Sequence, residues 1–123
     1  MEHCNLSYLK NIVPGNNALA IQVIELFILE APKYINDFKS SCSDNNWPDL
    51  YKYSHKLKPS IEILGFPTEM TEALININLL SKSETSTDKL VDLVNYFIIE
   101  IQSIIPDLEN QLTILKSEQI SSN

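Results

Sequence analysis

An all-α fold, an up-down four-helix bundle preceded by one short extra helix, is predicted by three features of this 123-residue chain. Glycine occurs only twice, at Gly15 and Gly65, too rarely for the many tight turns of an all-β protein. Four long segments repeat apolar residues at alternating steps of four and three, the period of a helix with one buried face. The breaks between them are short and built from Pro, Gly, Asn, Asp and Ser. No segment shows strand-like alternation, and no linker or internal repeat divides the chain. Residues 1–116 are expected to form a single domain, and residues 117–123 a frayed polar tail.

Leu6, Leu9 and Ile12 mark the short leading helix, which Pro14-Gly15 ends. Asn16 and Asn17 can cap the next helix. Its seam is Ala20, Ile24, Phe27, Ala31, Tyr34 and Phe38, and it runs to about Cys42. Pro32 inside it removes the donor to the Ile28 carbonyl, which predicts a bend rather than a break. Ser43 to Asn46 reads as a turn, and Pro48 suits the first turn of a third helix, Trp47 to Leu64. Gly65 is placed to end that helix in the left-handed conformation. Pro67 opens a fourth helix with Met70, Ala73, Leu74, Ile77 and Leu80 inward, ending near Lys82. The polar run from Ser81 to Thr87 reads as a loop. A last helix from about Asp88 carries Leu90, Val94, Phe97, Ile101, Ile104, Leu108, Leu112 and Leu115, with a kink at Pro106.

Composition narrows the function. Sixteen acidic residues against nine basic ones give a net charge of −7, which argues against a nucleic-acid backbone or an anionic membrane surface as partner. No apolar stretch approaches the ~20 residues of a membrane span, and no signal peptide is evident. Cys4 and Cys42 read as reduced thiols of a cytoplasmic protein. Two isolated glycines make no phosphate-cradling loop, so ATP binding by a glycine-rich route is excluded. His3 beside Cys4 lacks the further ligands that zinc requires, and no metal or other cofactor is expected.

The stretch Ser54-His55-Lys56-Leu57-Lys58-Pro59-Ser60 stands out. Leu50, Ser54, Leu57, Ile61 and Leu64 form one stripe, and at ~100° per residue His55 projects roughly 140° away from it, toward solvent. An imidazole held on a rigid helix, with Lys58 one turn on, is equipped to carry a transferable group.

These residues, with Gly65 ten positions after the histidine, resemble the histidine-containing phosphotransfer domains of bacterial multistep phosphorelays. Their pattern is a histidine, any residue, leucine, lysine, then usually glycine and a small residue. The resemblance spans nearly the whole chain and implies a bundle with the histidine on its second long helix. It implies His55 as phosphoacceptor, Lys58 and less directly Lys56 as phosphate-stabilising, Ser54 as the small core residue and Gly65 as the helix terminator. Glu62 is a candidate for orienting the ring, and Tyr51, Pro59 and Ile63 for docking a partner. The implied partners are receiver domains of response regulators, a hybrid sensor histidine kinase, or both, met by a monomer. Pro59 stands where glycine is usual, and Glu62 where a small residue is more usual. Pro59 cannot donate to the His55 carbonyl, which predicts a slight bend at the histidine itself.

On this reading the chain is a phosphocarrier rather than an enzyme, since the partner brings the Mg²⁺ and the acidic pocket. A helical adaptor without phosphate chemistry shares the bundle but has no need of the exposed histidine. A di-metal bundle enzyme would need inward Glu-x-x-His pairs, which the sequence lacks.

Overall fold

The computed structural model describes residues 4–12, 14–83 and 88–121. Five helices are present, α1 (Ser7–Ile12), α2 (Ala18–Ser43), α3 (Trp47–Ile63), α4 (Thr68–Lys82) and α5 (Asp88–Ser121), with no strand among the described residues. Contacts run α2 to α3, α3 to α4, α4 to α5 and α5 back to α2. Short connections between sequential neighbours and a closed ring of contacts make an up-down four-helix bundle. The short α1 lies against α2.

The apolar periods end inside this ring. Ile24, Phe27 and Phe38 of α2 are buried, as are Leu50, Leu57 and Ile61 of α3. Met70, Leu74 and Ile77 of α4 share one core with Leu90, Phe97, Ile101, Ile104 and Leu108 of α5. Phe38 stacks on Phe97 across the α2–α5 seam at 5.6 Å, and Phe27 meets the edge of Phe66 at 5.4 Å. Such pairs contribute ~0.5–1.5 kcal/mol beyond their burial. Tyr34 and Leu112 are only half-buried, the first beside α3 and the second between α2 and α5.

The turns follow their residues closely. Asn45 adopts a left-handed φ of 52° after α2. The N–H of Asn46 reaches the Ser41 carbonyl and that of Asn45 reaches Cys42, the paired bonds of a Schellman cap. Asn46 then caps α3, its side chain accepting from the Asp49 N–H. The end of α3 repeats the device, with Phe66 N–H to Ile61, Gly65 N–H to Glu62, and φ 63° at Gly65. Ahead of α2 the capping falls to Asn16, whose Oδ1 accepts from the Ala18 N–H at 2.9 Å. Asn17 makes no side-chain cap. Helices α2, α3 and α5 run unbroken through Pro32, Pro59 and Pro106.

One boundary differs from expectation. Helix α5 continues to Ser121, past the polar tail expected from residue 117. Gln119 explains part of this, because its Oε1 accepts from the Asn17 N–H at 3.0 Å. The buried Leu115 and the Lys116–Glu25 pair at 3.4 Å hold the preceding turn. Helix α4 ends at Lys82, as expected, and so takes in Ser81, the first residue of the polar run. Ser81 is buried because its hydroxyl donates to the Ile77 carbonyl at 2.7 Å, so no polar group is left without a partner. Its inward place leaves Leu80 half-buried. Most of the expected 81–87 loop, and His3, fall outside the described residues.

The segment before α1 is laced to the bundle at two points. The Asn5 N–H donates to the Gly65 carbonyl at 2.7 Å. The Cys4 N–H donates to Asp107 Oδ2 at 3.0 Å, and Gln111 Nε2 donates to both the Cys4 carbonyl and Asp107.

Candidate functional site

Helix α3 carries the site because its inner stripe is continuous. Leu50, Ser54, Leu57, Ile61 and Leu64 are all buried, which fixes the rotation of the helix about its axis. Residue 55 must then face outward, and His55 is exposed.

Ser54, directly before the histidine, is a buried polar residue with its bonds made. Its hydroxyl donates to the Tyr51 carbonyl at 3.0 Å. Asn78 of α4 donates through Nδ2 to Ser54 Oγ at 3.0 Å and to the Tyr51 carbonyl at 3.2 Å. This node ties the turn carrying His55 to the neighbouring helix. Among the described residues no buried side-chain polar atom lacks a partner.

The rings of Tyr51 and His55 lie 6.1 Å apart between centroids at an interplanar angle of 16°. Tyr51 is half-buried, one turn before the histidine. A stacked neighbour covers a face of the imidazole, whereas the lone pair of a ring nitrogen lies in the ring plane. The stack therefore leaves the nucleophilic edge open.

The expected site residues fall into two groups. Tyr51, Lys58, Pro59 and Glu62 share the outward face with His55, each within ~60° of it around the helix. Lys58 Nζ stands 3.8 Å from Glu62 Oε1, with both side chains about half exposed. Glu62 is thus engaged by the lysine rather than by the imidazole, because residues four apart on a helix meet more readily than residues seven apart. Lys56 lies ~100° round from His55. It lines a narrow crevice between α2 and α3 with Lys33, Tyr34, Asp37, Phe38, Tyr53 and Leu57. There Asp37 holds the Tyr53 hydroxyl above its ordinary range, with burial and Asp49 adding to the effect. Ile63 is half-buried and lines a shallow groove between α1 and α3 with Tyr8, Pro59 and Glu62.

Two residues take on roles that the sequence did not assign them. Lys52 is exposed three residues before His55 and projects ~60° from it, nearer than Lys56. Its place one turn before the histidine follows from helical spacing alone. Asn78 has no such trace, since its bonds to α3 bridge 24 and 27 residues.

A broad surface concavity lies elsewhere, between α2 and α5, lined by Gln22, Glu25, Leu26, Ile28, Leu29 and Leu112. Among the described residues no group of three or more His, Cys, Asp or Glu is placed to hold a metal ion. No helix there is long and apolar enough to cross a membrane. Both cysteines are free, and burial, with Asp107 adding to it, pushes the Cys4 thiol up to about 12. Comparison with protein-family models, with curated proteins and with solved structures gives no match.

Proposed function

We propose that this chain is a phosphocarrier of a multistep phosphorelay, taking a phosphoryl group on His55 from a receiver-domain aspartyl phosphate and passing it to another receiver. The observation that carries the reading is an exposed imidazole on a packed bundle helix, with Lys58 and Lys52 on the same face within one turn. The resemblance of the His55-to-Ser60 stretch to phosphotransfer domains supplies the reaction class.

The step needs little from the carrier beyond position and charge. A ring nitrogen of His55 donates its lone pair to phosphorus and an N–P bond forms. The acyl P–O bond breaks, and its electron pair leaves on the receiver's aspartate. The proton on the other ring nitrogen passes to water. Transfer onward is the reverse, into a second receiver. Lys58 and Lys52 balance the added negative charge, and Lys58 exchanges its long contact with Glu62 for the phosphate. The receiver supplies the Mg²⁺ and the acidic pocket, so the carrier is not itself an enzyme. Pro59, with Tyr8 and Ile63 along the α1–α3 groove, offers apolar surface for docking. A receiver partner implies a cytoplasmic location.

The test uses receiver domains phosphorylated with acetyl phosphate and Mg²⁺. Acid-labile, base-stable phosphate is expected on the wild type and absent from His55→Gln. A wild type that takes no phosphate from any receiver of the same genome overturns the relay. That result favours a second reading, a helical adaptor without phosphate chemistry. Its support is the α2–α5 face, where Leu26 and Leu29 are 55% and 76% exposed.

A further inference from the structure

Tyr51 was expected to meet a partner, yet its ring already has one inside the molecule. It stacks on His55 at 6.1 Å and 16°, within the range of offset-stacked aromatic pairs. Spacing of four residues on a helix brings the two rings together by backbone geometry alone. The tyrosine is half-buried, and its turn is tied to helix α4. Its carbonyl accepts from both Ser54 Oγ and Asn78 Nδ2, so helix α4 clamps the residue that the imidazole leans on.

We infer that Tyr51 is a positioning residue for His55, holding the imidazole in one rotamer with its nitrogen edge turned out and steadying the ring as it gains positive charge during attack on phosphorus. The inference rests on the relay reading of His55. An exposed histidine has several rotamers, and in-line transfer accepts few of them. A stacked ring narrows that choice without touching either nitrogen. Attack also makes the ring transiently cationic, before the second nitrogen releases its proton. The electron-rich face of an aromatic neighbour favours that charge. The contribution belongs to the ring of Tyr51 rather than its hydroxyl, so phenylalanine serves in its place and leucine does not.

The experiment compares wild type, Tyr51→Phe and Tyr51→Leu, with Asn78→Ala as a variant that leaves both rings intact. Leucine keeps the apolar volume, and circular dichroism checks that the bundle is retained. Nuclear magnetic resonance first reads the ring protons of His55 without any partner. An upfield ring-current displacement is expected in wild type and Tyr51→Phe and is lost in Tyr51→Leu. Single-turnover transfer from an acetyl-phosphate-loaded receiver is then measured across receiver concentration. Tyr51→Leu is expected to slow the limiting rate by about three- to tenfold while the half-saturating concentration holds, and Tyr51→Phe to restore the rate. Asn78→Ala, by loosening the clamp, lowers the limiting rate in the same sense. His55 shifts identical in all variants show no stack in solution and overturn the inference. A changed shift with an unaltered limiting rate overturns it too, and a change confined to half-saturation returns Tyr51 to docking. A wild type that accepts no phosphate defeats the relay itself, a failure distinct from loss of the stack.

Discussion

Gly65 carries the sharpest single-residue constraint in the chain. Its φ of 63° is left-handed, which costs a side-chain-bearing residue ~1–2 kcal/mol. A Cβ there would also stand 1.8 Å from the Asn5 carbonyl oxygen, a backbone atom with no freedom to swing aside. Gly65→Ala must break the Asn5–Gly65 bond as well as strain the turn, and is expected to cost about 3 kcal/mol or more. Gly15 has a similar φ of 78° but nothing within 4 Å of an added Cβ. Gly15→Ala is therefore expected to cost only about 1 kcal/mol. Urea unfolding of the two variants checks the contrast, and equal losses would show that the close approach of Asn5 carries no weight. Reading the sequence identified Gly65 as a helix terminator. It gave no hint of the second reason for glycine, because the crowding segment lies 60 residues away along the chain.

At the scale of elements, the segment ahead of α1 behaves as a strap from the end of α3 to the body of α5. Its Cys4 is 5% exposed, with its backbone held by Asp107 and Gln111. Burial, and Asp107 after it, lifts the thiol from 9.0 to about 12. Between pH 9 and about 12 the unfolded chain loses this proton while the folded chain keeps it, so stability falls as pH rises through that window. Below pH 9 the thiol is neutral in both states and exerts no pH dependence. Denaturation midpoints measured from pH 8 to 10.5 are expected to decline, and the decline to be shallower in Cys4→Ala. A parallel decline in the variant would place the effect elsewhere, with Tyr34 the first suspect, since burial and Glu30 raise its hydroxyl to about 12. None of this strap was legible in advance. Hydrogen bonds joining residues 103 and 107 positions apart leave no periodic mark in a sequence.

For the whole molecule, the readable part was whatever the core enforces. A four-and-three repeat admits one rotation of each helix, so the stripes of α2, α3 and α5 went to the interior and His55 to the surface. Polar composition misled where local bonds override it, as at Ser81, which hides its hydroxyl on its own helix, and at Gln119, which caps a distant one. The candidate site divides the same way. Its outward-facing set followed from helical angles, and the four-residue spacing of Lys58 and Glu62 favours their pairing, while the Asn78 clamp needed three dimensions.

The α3–α4 seam has one more consequence. These two helices share the most extensive contact in the bundle, with the small buried Ser54, Ala73 and Ser81 on their inner faces. Their inner backbone amides should exchange deuterium only through global opening, whereas amides of residues 4–12 should exchange through cheaper local excursions. Mass-spectrometric exchange that ranks the two regions alike would contradict this. A group loaded onto His55 would then ride on the portion of the molecule that opens last, so giver and taker meet one unchanged shape.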